Sequence, residues 1–153
     1  MEFFYKSGGI TLESEKKQIQ FLKDALDIDG LKVEMAWEYE KSGFLAYAHE
    51  LAEVRIYQMR VEWYTLGYIP EMVTDLTAEQ LDFLSDLDLL IMPTSKLTQP
   101  LLEKIEPSTL VTYGETAQEL ATALWVSEPP VQKFKLKDSD LSHEKMSVIV
   151  LGE

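Results

Sequence analysis

Metal binding and nucleophilic catalysis in proteins draw mainly on histidine, cysteine and carboxylates. This chain of 153 residues has two histidines, His49 and His143, and no cysteine. Thiol catalysis and disulfides are therefore excluded, and two distant imidazoles give no persuasive Ser–His–acid order. Asp and Glu are plentiful, 27 in all, but their spacings point to turns and wet surfaces. Glu38 and Glu40 would share one strand face about 7 Å apart. Paired carboxylates of that kind serve glycoside chemistry, yet a solvated face is the plainer reading. Asp24, Asp27 and Asp29 lack the spacing and distal Glu of a calcium loop and read as turn acids. Ser7-Gly8-Gly9 is followed by neither a helix start nor a Lys-Ser/Thr pair, so it is no phosphate loop.

Charge narrows the partners. A net charge of -13 repels phosphate backbones and anionic lipids, and Lys16-Lys17 is only a pair. No nucleic-acid or membrane partner is expected. The acidity itself needs no explanation beyond solubility. Hydrophobic residues make up 46%, too many for a disordered chain. No apolar run approaches the roughly 20 residues that span a bilayer. The opening Met1-Glu2-Phe3-Phe4-Tyr5-Lys6 lacks the basic start and apolar stretch of a secretory signal, so a cytoplasmic location is expected. The length suggests one domain, residues 1–153, with a real core.

The elements that must position any site change character midway. In the first 65 residues a period of two predicts antiparallel sheet. Phe3, Phe4 and Tyr5 form a strand, and Ser7-Gly8-Gly9 a turn. Ile10 and Leu12 face Ile19 and Phe21 across a polar stretch, as in a second hairpin. Asp29-Gly30 is a tight-turn signal. Leu31, Val33, Met35 and Trp37 alternate with polar or small residues, and Met59, Val61 and Trp63 with Gln58, Arg60 and Glu62. Beyond residue 76 strands and helices alternate. Thr77 and Gln80 form a capping box ahead of Leu81, Phe83 and Leu84. Residues 87–92 are apolar except for Asp88, as in a strand buried on both faces. Leu97, Leu101, Leu102 and Ile105 have helical spacing, with Pro100 in the first turn. Residues 109–113 form a second buried strand, 115–125 a helix, and Pro129-Pro130 a break. Val131, Phe134 and Leu136 begin a terminal strand, and 147–151 form the last. Strands first, then helix–strand alternation, predict a layered α/β (α+β) domain.

Several segments stand in a recognisable order. Glu38-Tyr39-Glu40-Lys41-Ser42-Gly43 is followed by Leu76-Thr77-Ala78-Glu79-Gln80-Leu81. Then come Leu87-Asp88-Leu89-Leu90-Ile91-Met92-Pro93 and Ile105-Glu106-Pro107-Ser108-Thr109-Leu110-Val111-Thr112-Tyr113-Gly114. Together they resemble the metallo-β-lactamase-fold hydrolases, in the branch that includes the ascorbate-phosphate lactonases. There "GEYEVKG", "LTEEQL", "VDILLIPVGG" and "IEPKIVIPMHY" occur in the same order. The likeness covers most of the chain and is most specific over residues 76–114. It implies a partial or shortened metallo-β-lactamase-like layered sandwich, with N-terminal antiparallel strands followed by alternating helices and strands.

The same resemblance locates a metal site and empties it. The family's dinuclear centre begins with an "HxHxDH" loop, which gathers nitrogen and carboxylate ligands around ions that activate water. No histidine lies between Phe21 and Trp37. Counting back from Thr77, the family's "HLGD" falls on Tyr68-Ile69-Pro70-Glu71. The final histidine falls on Gly114, an early one near Ser7, and a Gly-Gly pair on Thr94-Ser95. Ser7, Tyr68, Glu71, Thr94, Ser95 and Gly114 would thus mark a vestigial cleft. No catalytic residue and no cofactor are expected. His49 and Glu71, with Glu50, are the only candidates for a rebuilt mononuclear metal site. His49 reads otherwise as a satisfied, partly buried residue, and His143 as a solvated loop residue. Trp63 is expected in the core, and Tyr64, Tyr68 and Ile69 at a possible interface. The leading expectation is a non-catalytic assembly, binding or regulatory subunit, in a homo- or hetero-oligomer with another protein. The alternatives are a hydrolase with a rebuilt metal site and a metal-free small-molecule binding module.

Overall fold

The computed structural model describes residues 1–33, 38–41, 43–51, 54–137, 141 and 145–153, with 49–51 and 54 as backbone only. The chain opens as a meander of β1 (Glu2–Lys6), β2 (Gly9–Ser14), β3 (Lys17–Phe21), β4 (Leu26–Ile28) and β5 (Leu31–Val33). Two-residue turns at Ser7-Gly8, Glu15-Lys16 and Asp29-Gly30 join three of these pairs, with positive φ at every turn residue. That conformation matches the strands' right-handed twist, which is why Gly recurs there. Asp27 acts as the expected turn acid, its carboxylate accepting from the Gly30 N–H at 2.7 Å. A late strand, β12 (Lys133–Lys135), pairs with the free edge of β1, giving the order β12-β1-β2-β3-β4-β5.

A second sheet follows. β6 (Glu38–Lys41), β7 (Phe44–Leu51), β8 (Val54–Val61) and β9 (Tyr64–Tyr68) are antiparallel. β10 (Leu89–Pro93), β11 (Thr109–Tyr113) and β13 (Ser147–Val150) extend it in parallel from β9. The order is β13-β11-β10-β9-β8-β7-β6. Parallel neighbours need crossovers. These carry α1 (Ala78–Phe83), α2 (Gln99–Ile105) after a short 3-10 turn, and α3 (Ala117–Ala123). Helix α1 starts at the expected capping box: Thr77 Oγ1 accepts from the Gln80 N–H, and the Gln80 side chain accepts from the Thr77 N–H.

Two cores result. One lies between the sheets and joins Phe3, Leu12 and Ile19 to Met59, Leu66, Leu89 and Ile91. The other lies between the second sheet and the helices and holds Leu84, Leu90, Met92, Leu101 and Leu120. Strand β10 feeds both through alternate residues, which accounts for its unbroken apolar run. At Gly67 on β9 a Cβ would stand 2.6 Å from Leu87 Cδ1, so glycine there admits the layer above. No described helix is long and apolar enough to cross a membrane.

The fold is mixed α+β, mostly sheet with few helices. The first 65 residues divide between two sheets, and β12 returns to the first. Trp63 departs from expectation. It sits in the β8–β9 turn after Glu62, whose φ of 59° ends the alternation, and it is 80% exposed. Leu97 lies in the 3-10 turn and is exposed, outside the buried stripe of α2. The predicted helix 115–125 is shorter, and Trp125 follows it in left-handed conformation. Glu38 and Glu40 are exposed, as a wet strand face requires. Met35, Trp37 and His143 lie outside the described residues.

Candidate functional site

Parallel strands leave a crevice beyond their carboxyl ends, where α/β proteins usually place ligands. Here β9, β10 and β11 finish at Tyr68, Pro93 and Tyr113, with Ile91 in register beside Tyr68 and Pro93 beside Tyr113. The first sheet closes the other side with Gly8, Ile10, Phe21 and Lys23. The space between is a cleft of about 540 Å³, also lined by Pro70, Glu71 and Met72.

Tyr68 forms its floor. The ring stacks on Tyr57, centroids 5.7 Å apart, and meets Phe21 edge-on at 5.0 Å. Its hydroxyl donates to the Leu22 carbonyl at 2.8 Å, and it lies close enough to Tyr113 for the two phenols to influence each other. Burial pushes the Tyr68 phenol well above the usual tyrosine range, reinforced by Tyr113. Burial also raises Tyr113, although the influence of Tyr68 pulls the other way. Both phenols are neutral at physiological pH. The loop after β3 is held a second time, by Arg55 Nη1 donating to the Asp24 carbonyl at 2.7 Å.

The positions singled out from the sequence separate. Tyr68 and Glu71 line the cleft, Tyr68 as floor and Glu71 exposed at the rim. Gly114, with φ of 98°, lines a neighbouring depression with Tyr5, Glu115 and Gln118, and Gly8 borders both hollows. The Ser7 N–H donates to the Glu153 carboxylate, tying the first hairpin to the other end of the chain. Thr94 and Ser95 are buried and locally engaged. Thr94 Oγ1 pairs with Thr112 Oγ1 at 2.6 Å, and its carbonyl accepts from Thr116 Oγ1. Ser95 caps the 3-10 turn through the Leu97 N–H. Tyr64, Tyr68 and Ile69, expected at an interface, are 7%, 2% and 0% exposed and belong to the chain's own core. His49 lies on β7 opposite Ile56, at the same end of the sheet as the cleft. Two strand spacings, about 10 Å, separate its backbone from β9.

Sequence reasoning missed Ile10, Phe21 and Lys23. They reach the cleft because the sheets stack face to face, and no local pattern encodes that. Tyr113 was within reach, since it immediately precedes Gly114.

No protein-family profile matches this chain, and no curated protein matches its sequence. Among solved structures it is similar to a protein from Thermotoga maritima, described as a candidate zinc-dependent hydrolase of the metallo-β-lactamase superfamily. The TM-score is 0.73 at 13% identity, over 99% of this chain and 100% of that chain. The fold is thus metallo-β-lactamase-like, and the likeness runs from end to end of both chains.

A zinc centre needs three or four converging nitrogen, sulfur or carboxylate ligands. Among the described residues, no three His, Cys, Asp or Glu side chains stand close enough to hold an ion. Among the described residues the cleft lining offers a single carboxylate, Glu71, beside two neutral phenols. This donor set does not fit zinc.

Proposed function

We propose that this chain is a non-catalytic protein of the metallo-β-lactamase fold that works by binding, with the strand-end cleft as its pocket, in an assembly, binding or regulatory role. One observation carries the reading. Tyr68 stands where the resemblance puts the start of a metal-binding loop, and its buried hydroxyl is engaged with the Leu22 carbonyl. A buried neutral phenol so occupied is neither a metal ligand nor a base. The cleft itself is open, with a volume typical of small-molecule sites, which run about 300–1,000 Å³.

The test is hydrolysis of lactones and phosphoesters with zinc or manganese added. The expected outcome is turnover no faster than in buffer containing the same metal. Metal-dependent turnover that disappears in Glu71→Gln or His49→Ala would overturn the proposal in favour of a rebuilt hydrolase.

Assembly has its own support. Trp63 is 80% exposed and Trp125 92%, and indole faces are enriched at interfaces. A light-scattering mass above one chain at micromolar concentration is the expected result. A mass equal to one chain contradicts it.

A further inference from the structure

Lys23 stands at the mouth of the cleft, on a loop that the second sheet grips on either side. Tyr68 holds the carbonyl of Leu22 at 2.8 Å and Arg55 that of Asp24 at 2.7 Å. The residue between these anchors is presented by a fixed backbone, so a ligand need order only its side chain. Behind Lys23 the walls are apolar and partly flat: Ile10, Phe21 and Pro93. At the floor Tyr113, kept neutral by burial, adds polarity without charge. Among the described lining residues Glu71 supplies the one negative charge, from the side of the second sheet.

Resting on the binding reading above, we infer that the cleft takes a small monocarboxylate with a flat apolar body. Its carboxylate meets the Lys23 ammonium, and its ring lies among Ile10, Phe21 and Pro93. Lys23, the one cation among the described lining residues, matches a single negative charge. A second charge would face Glu71 across the cleft and the field of a chain with net charge -13. An uncharged ring would fill the same walls but leave Lys23 without a partner.

The test is calorimetric titration of the full chain with phenylacetate, phenyl phosphate and benzyl alcohol, which share a ring and differ in charge. Phenylacetate should bind about tenfold more tightly than either of the others, and its binding should weaken as salt is added. Lys23→Met keeps the apolar stem and should cost about tenfold in phenylacetate affinity. Lys96→Met, at an exposed position away from the cleft lining, should cost nothing. Absence of phenylacetate binding, equal binding of benzyl alcohol, or full affinity in Lys23→Met would each overturn the assignment. Metal-dependent turnover in the hydrolysis assay would instead overturn the non-catalytic reading. No turnover together with no phenylacetate binding would remove the ligand class alone.

Discussion

Along β2 the side chains alternate, with Ile10 and Leu12 buried and Glu13 in water. Along β10 Leu89, Leu90, Ile91 and Met92 are all buried. The first sheet covers one face and leaves the other wet. The parallel half of the second sheet is covered twice, by the first sheet on one side and the helices on the other. A strand of the first kind needs one layer of neighbours and a strand of the second kind two. The double-covered strands end at the cleft, so its floor stands on the most constrained part of the molecule.

That contrast sets an order of mutational effects. Leu90→Ala opens a cavity under the helices and should cost about 2–5 kcal/mol in urea denaturation. Gln20→Ala, on the wet face of β3, should stay within about 0.5 kcal/mol. Equal losses would break the comparison between the sheets.

Tyr68→Phe sharpens it at the point where the sheets meet. Removing the hydroxyl leaves the Leu22 carbonyl without that donor and should cost about 1–3 kcal/mol. The pH dependence gives a separate readout. Burial holds Tyr68 and Tyr113 above the ordinary tyrosine value of 10.0. Above about pH 10 the unfolded chain releases these protons while the folded chain keeps them. With fewer protons on the unfolded state, stability falls as pH rises through that range and is untouched at neutral pH. Tyr68→Phe should flatten the alkaline loss, and an unchanged slope would contradict the buried pair.

The smallest effect belongs to the helical layer. Thr77→Ala removes the α1 cap and should cost about 1 kcal/mol. Thr77→Ser should retain most of that stability.

Much of the fold is local and was legible. Ser7-Gly8 and Asp29-Gly30 marked two of the turns, Thr77 and Gln80 marked α1, and the unbroken run at 87–92 marked a strand buried twice. Pairing was not legible, because a period of two names a wet face but not the neighbouring strand. Nothing in Lys133-Phe134-Lys135 says that β12 joins β1. Trp63 continued an apolar alternation and misled, since one left-handed residue, Glu62, turned the chain first. The candidate site was half legible. Tyr68 and Glu71 followed from the resemblance, whereas Lys23 and Phe21 depend on how two sheets stack.

Metal analysis is the direct test of the proposal that this fold lacks a metal-binding donor set, as none is found among the described residues. The full chain should be equilibrated with zinc, freed of loosely held ions and measured for zinc per chain. The zinc content should lie far below one ion per chain and stay unchanged in Glu71→Gln. One or two firmly held zinc ions per chain, lost on replacing His49 or Glu71, would contradict the proposal.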